Sequence, residues 1–224
     1  DILFIETTYA GKEQPDRATE VQRLLDRIVE VVERGGTCLI PAFANGRSQD
    51  VLRYIWDSDL DLEVHFDGMG KRMLNFYLDN PNYIRDPDTF RDIKRWARLV
   101  SSKSDRKKAL EGDVIVTTSG MLDGGPAHWY LNRLRNDQRN AILLTAYQAS
   151  GSGGRQLLTE SRLKIFGKTV DINLEVDPFS LSKHAGHSQL VDFSMYVPAS
   201  DVVLFHGEQT EKQEILKEEI EKQG

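Results

Sequence analysis

The chain alternates short, continuous apolar runs with longer segments whose apolar residues recur at helical spacing. Ile2 to Ile5, Thr37 to Ile40, Asp113 to Val116, Ala141 to Thr145 and Val202 to Phe205 are aliphatic and β-branched and too short for helices. That pattern predicts strands buried on both faces, and Leu62 to Phe66 adds an alternating one. Between them, Val21, Leu24, Leu25, Ile28, Val31 and Val32 mark one face of a helix that Gly35-Gly36 ends. Further helices are predicted through Val51 to Trp56, over Lys71 to Leu78, over Thr89 to Val100, from Gly125-Pro126 to about Arg135, over Gln189 to Tyr196, and around Ile215, Leu216 and Ile220. Ser104 to Leu110 reads as a capped helical turn, and Leu163 to Phe166 with Thr169 to Val176 reads as a hairpin about Gly167-Lys168. Strands alternating with helices predict an α/β fold with a largely parallel sheet flanked by helices.

The polar, small-residue loops follow strands, so they fall on one rim of such a sheet, where α/β folds carry their sites. Pro41 to Gln49 leads from a strand into a helix, and its exposed helix-start N–H groups, with Arg47, suit an anion. Thr117 to Pro126 sets two threonines, Ser119 and glycines at a strand end, and Tyr147 to Arg155 is a second such loop. Glu6 ends the first strand, where it is either a surface acid or a carboxylate aimed into a site. Three of the five histidines lie between Phe179 and Glu208: His184 and His187 in a loop of small residues, and His206 behind an apolar run with Gly207 after it. His65 and His128 fall inside a strand and a helix and read as packing residues.

Composition narrows the classes. A chain of 224 residues with net charge −6 is a globular protein without a global basic coat, although Arg106, Lys107 and Lys108 concentrate positive charge locally. The single Cys38 lies in an apolar run, cannot form an internal disulfide, and is compatible with a reducing cytoplasm. No apolar stretch reaches membrane-spanning length, no signal-peptide pattern is seen, and the first strand is followed by neither Gly-x-Gly-x-x-Gly nor a P-loop.

Taken together, the loops resemble those of the β-CASP family of metallo-β-lactamase-fold nucleases, which includes ribonuclease J and the pre-mRNA 3′-end cleavage subunit with its archaeal relatives. Glu6-Thr7-Thr8-Tyr9-Ala10 is similar to the family's Glu-Ser-Thr-Tyr-Gly, and Pro41 to Gln49 to its Pro-x-Phe-Ala-x-Gly-Arg-x-Gln. Thr117 to Pro126 resembles Ser-Gly-Met-Leu-x-Gly-Gly-Pro, Tyr147 to Arg155 the Gly-Tyr-Gln…Gly-Arg loop, Ser182-Lys183-His184 the Ser-x-His segment, and His206-Gly207-Glu208 the closing His-Gly-Glu. The resemblance covers essentially the whole chain. It departs at Ala10, where Gly is common, and at Gly186, where the family has Asp.

The resemblance implies a zinc-dependent ribonuclease that hydrolyses RNA phosphodiester bonds, with a β-CASP domain over residues 16–166. Residues 1–15 and 167–224 are then parts of a metallo-β-lactamase αββα sandwich. It implies that Glu6 and His184 form the catalytic pair, His184 giving a proton to the leaving oxygen, and that His206 is one ligand of a two-zinc centre. Arg47, Ser119 and Arg155 are the expected contacts to RNA phosphates in a cleft between the lobes. His-x-His-x-Asp-His, the family's main metal motif, is absent, and the chain starts at Asp1 without Met, already inside a strand. The expectation is therefore a fragment that lacks the N-terminal metal-binding half, is inactive alone, and has RNA and that half as partners. A homo-oligomer is left open. The rival class is a non-catalytic RNA-binding homologue, against which the joint presence of Glu6, His184 and His206 speaks.

Overall fold

A computed structural model describes residues 1–207 and 210–223. In chain order, β1 (Ile2–Glu6) leads to α1 (Arg17–Glu33), β2 (Cys38–Pro41), α2 (Arg47–Asp57), β3 (Val64–Phe66) and α3 (Gly70–Asp79). After a 3-10 turn (Pro81–Tyr83) come α4 (Pro87–Trp96), β4 (Arg98–Leu99), α5 (Lys103–Ala109), β5 (Val114–Thr117), α6 (Gly125–Leu134), β6 (Ala141–Leu144) and α7 (Gly153–Glu160). The remainder is β7 (Arg162–Ile165), β8 (Lys168–Asp171), β9 (Glu175–Pro178), α8 (His187–Tyr196), β10 (Asp201–Phe205) and α9 (Thr210–Gln223). The chain forms two compact units, one of Arg17–Leu181 and one of Asp1–Asp16 with Ser182–Gly224.

The larger unit is a three-layer α/β structure. Its six strands lie in the order β4-β3-β5-β2-β6-β9 and are all parallel. Because side chains alternate along a strand, Cys38, Ile40, Val114 and Val116 face one layer and Leu39 and Ile115 the other. The first layer is α1, α2, α3 and α4, through Leu24, Leu52, Leu74 and Ile93; the second contains α6 and α7, through Tyr130, Leu131 and Leu157. Strands buried on both faces need continuous apolar sequence, which is what marked them. Cys38 is a free, fully buried core residue, and burial pushes its thiol up to about 12.

Two expectations change. The helix expected over Thr89 to Val100 ends at Trp96, because Ala97 turns extended (ψ 135°) and Arg98–Leu99 pair with His65 and Phe66 as an edge strand. The second strand of the hairpin stops at Asp171. Phe166 and Gly167 both take positive φ (49° and 82°), which supplies the tight turn joining β7 to β8. Beyond Ile172 and Leu174, which are buried in the second core, Glu175–Pro178 leave the hairpin and pair in parallel with β6. Residues 167–181 thus lie in the same compact unit as the large sheet, which only Glu175–Pro178 among them join.

In the smaller unit β1 and β10 pair in parallel, Ile2 opposite Asp201 and Glu6 opposite Phe205. Ile5, Leu190, Val191 and Leu216, with Leu3, Val202, Leu204 and Ile220 beside them, bury one face of this two-stranded sheet under α8 and α9. The other face leaves Ile2, Phe4, Val203 and Phe205 exposed. No described helix is long and apolar enough to cross a membrane.

Candidate active site

The parallel register of β1 and β10 ends both strands at the same level, so Glu6 and His206 emerge side by side. The Thr7 hydroxyl donates to the Phe205 carbonyl (3.0 Å), and the Thr8 hydroxyl donates to the His206 carbonyl (3.3 Å) and lies 3.2 Å from His206 Nδ1. His206 sits in the left-handed region (φ 57°), which costs a non-glycine residue roughly 1–2 kcal/mol. Gly207 follows because a Cβ there would stand 2.2 Å from Thr7 Oγ1. Glu208, the last residue of the family-like triplet, lies outside the described residues.

His184 comes to this point from the loop before α8. Its N–H donates to Ser182 Oγ (3.2 Å) and its carbonyl accepts from Gln14 Nε2 (3.4 Å). The ring stacks on Tyr9 (centroids 6.5 Å apart) and on His206 (5.8 Å, interplanar angle 27°). Nδ1 lies 3.3 Å from Glu6 Oε1. One ligand atom from each of Glu6, His184 and His206 falls within 4.8 Å of the others. Burial at the strand end works to raise the Glu6 pKa, but hydrogen bonds from Thr8, including its N–H at 2.8 Å, and the adjacent imidazole outweigh it. The net is a carboxylate held below its ordinary range.

This donor set fits zinc as one corner of a site. Two imidazoles and a carboxylate are zinc ligands, but Zn–N and Zn–O bonds of about 2.0–2.2 Å place the donors of one ion at most roughly 4.4 Å apart. Both Glu6 oxygens are already engaged, by His184 and by Thr8. With Thr8 at His206 Nδ1, Nε2 is the nitrogen a metal would take, since ligating histidines bond through one nitrogen and anchor the other.

Gly186, the departure from the family's Asp, is the N-cap of α8 and so has no side chain to cap it. Glu13 does this from the neighbouring loop: its Oε1 accepts from the Ser188 N–H (2.9 Å) and hydroxyl (2.5 Å). A Cβ built on Gly186 would lie 2.9 Å from Glu13 Oε2, so this carboxylate occupies the space of the missing one. His187 also serves the scaffold, its Nδ1 accepting from the Gly11 N–H (3.0 Å). Sequence reasoning did not single out Glu13, because an acid in a polar loop far from Ser188 carries no periodic signal.

The expected phosphate contacts all lie in the larger unit, in three different settings. Arg47 is buried in the first turn of α2, its side chain 8 % exposed and 3.5 Å from Asp50. Its side chain is thus largely screened from solvent. Ser119 lies half-buried in the loop after β5, its Oγ accepting from the Asp123 N–H (3.3 Å), and Arg155 is exposed at the start of α7. His65 pairs with Glu63 (2.7 Å) and His128 with the Leu122 carbonyl (2.6 Å), both buried.

Residues 50–157 match the Beta-Casp domain. Over 216 residues the chain is 33% identical to the protein named Probable RNase MJ4 of Methanocaldococcus jannaschii, covering 94% of this chain and 50% of that one. It is 33% identical over 225 residues to RNase aCSPSF2 of Saccharolobus solfataricus (98% and 45% covered). It is also 29% identical over 229 residues to endoribonuclease ysh1 of Schizosaccharomyces pombe (94% and 30%). The chain thus spans about half the length of the archaeal relatives and less of the yeast one. The order of its loop motifs, its parallel α/β unit and these relatives agree: the chain belongs to the β-CASP family.

Proposed function

We propose that this chain is the β-CASP portion of a zinc-dependent ribonuclease and that Glu6, His184 and His206 are its share of the catalytic centre. The observation that carries this reading is the 3.3 Å approach of Glu6 to His184 beside His206, three polar residues drawn to one point from strand ends and a loop. The Glu6 carboxylate holds the Nδ1–H of His184 and so fixes the ring, leaving Nε2 to give a proton to the leaving oxygen of the phosphodiester. Glu6 is a positioning residue in this scheme. His206 would hold metal through Nε2 with ligands from outside this chain. A bound zinc supplies Lewis acidity and water activation to such a reaction. Ser119 and the exposed Arg155 are proposed to meet RNA phosphates.

The exposed apolar face of the β1–β10 sheet supports the same reading. Ile2, Phe4, Val203 and Phe205 line up on one side of two strands whose outer edges are unpaired among the described residues. A lone two-stranded sheet is marginal in water, and such a face is what a further layer of the same protein would cover.

The test uses the longer parent protein. His206→Ala lowers bound zinc, whereas His184→Ala retains it and cleaves RNA slowly, by the 10²–10⁴-fold typical of losing a general acid. Unchanged cleavage in both variants overturns the assignment. The 224-residue chain alone is expected to cut nothing, with or without added zinc.

A further inference from the structure

The larger unit carries a second feature that the catalytic constellation does not use. In its sheet β2 and β5 are neighbours, yet the helices that follow them lie in opposite layers: α2 with Leu24 and Ile28 in the first core, α6 with Leu157 and Leu163 in the second. The two connections therefore diverge and leave a crevice at the strands' carboxyl ends, the place where open parallel sheets hold ligands. A crevice of about 470 Å³ occupies that position, lined by the loops after β2, β3 and β5. Phe43 and Met69 stand at its walls, 39% and 60% exposed, with Ser119 and Pro126 beside them. Its close-packed floor depends on glycine, since a Cβ on Gly120 would lie 2.8 Å from the Phe43 backbone nitrogen.

The lining residues carry no charged side chain. The charge lies at its edge. Asp67, immediately before the lining Gly68, is buried and accepts from Arg106 Nε (2.6 Å), and Lys71 Nζ lies 3.6 Å from it. Two cations therefore surround one carboxylate, and Arg106 belongs to α5, whose Lys103, Lys107 and Lys108 are exposed. The combination is an apolar slot with an aromatic wall and a flank of net positive charge. That is complementary to a flat ring tethered to an anion.

We propose that this crevice is a nucleobase subsite: one base of a single-stranded RNA stacks against Phe43 under Met69, and its backbone passes along the Lys71–Arg106 flank. Aromatic walls beside a basic track hold single strands without sequence preference, because every base offers a face to stack. Ser119 Oγ, which accepts from the Asp123 N–H, keeps its O–H to donate to the phosphate beside the stacked base. This inference deepens the ribonuclease reading by naming a contact for the substrate within the larger unit, and it rests on RNA being the substrate.

The test is binding without catalysis. A fluorescein-labelled single-stranded oligouridine and a duplex of equal length are titrated with the 224-residue chain in EDTA, and anisotropy is read. The single strand binds in preference to the duplex. Phe43→Ala and Met69→Ala each weaken that binding about tenfold while the unfolding midpoint is unchanged. In Phe43→Trp affinity is retained and the new indole is quenched on binding. Equal affinity for Phe43→Ala, absence of quenching in a folded Phe43→Trp, or no single-strand binding by the wild-type chain overturns the subsite. Because no cleavage is involved, failure of the catalytic reading in the parent protein leaves these results standing, and their failure leaves the zinc and cleavage results standing.

Discussion

Asp67 offers the sharpest energetic test of how the larger unit supports its loops. Its side chain is 3% exposed and accepts from Arg106 Nε (2.6 Å), the Tyr130 hydroxyl (3.1 Å) and the Gly68 N–H (2.6 Å). Burial, and then this carboxylate, push the Tyr130 phenol well above its ordinary range, so it acts as a neutral donor at any working pH. Asp67→Asn keeps the volume but replaces one acceptor oxygen by a donor, which must then face either Gly68 N–H or the Arg106–Tyr130 pair. Breaking a buried ion pair costs about 3–5 kcal/mol. Arg106 and Lys71 are 32% and 21% exposed and partly regain water, so the low end applies, about 3 kcal/mol. Tyr130→Phe loses one hydrogen bond to a charged acceptor that keeps its other partners, about 1.5 kcal/mol. All three tryptophans lie in this unit, so urea unfolding followed by their fluorescence reads its stability directly. A cost under about 1 kcal/mol for Asp67→Asn, or an order in which Tyr130→Phe costs more, refutes the network as described.

The remaining predictions concern the other charged groups. Glu13→Gln lowers the thermal midpoint through loss of the α8 cap, and adding Gly186→Asp to it restores part of the loss; calorimetry of Glu13→Gln, Gly186→Asp and the double variant decides, and additive losses would contradict the exchange of carboxylates. The Glu13 pKa is lowered, chiefly by the Ser188 hydroxyl. Its contribution is therefore full above the unfolded carboxylate range and fades as pH falls through the lower folded value, so the Glu13→Gln difference should shrink in acid. Arg47→Ala costs about 2 kcal/mol of unfolding free energy through its buried position. Arg155→Ala stays within about 0.5 kcal/mol and instead reduces the salt dependence of RNA binding by about one unit of slope. Equal stability loss in the two would show that burial does not separate their roles.

Much of the larger unit was legible in sequence, because strands buried on both faces must be continuous apolar runs and the helices must carry an apolar stripe. The edges were not. Arg98–Leu99 carry no strand signal of their own and pair only because β3 offers a free edge at His65 and Phe66. Glu175–Pro178 continue the alternation of the hairpin, and only tertiary pairing with β6 separates them. At the site, the strand-end positions of Glu6 and His206 followed from apolar runs ending there. The contact of Glu6 with His184, remote in sequence, had no local signal, and its expectation came from family resemblance. Burial of Arg47 was hidden for the same reason, since an arginine at a helix start reads alike whether it faces Asp50 or water.

The central claim is that His184 protonates the leaving oxygen while Glu6 holds it. The direct measurement compares cleavage by the wild-type and His184→Ala parent protein, with zinc content verified, on two RNAs: the natural phosphodiester and one whose bridging leaving oxygen is replaced by sulfur. A thiolate leaves without a proton. The account predicts that His184→Ala is slowed by at least about 10²-fold on the oxygen substrate and nearly matches wild type on the sulfur substrate. An equal defect on both would contradict it.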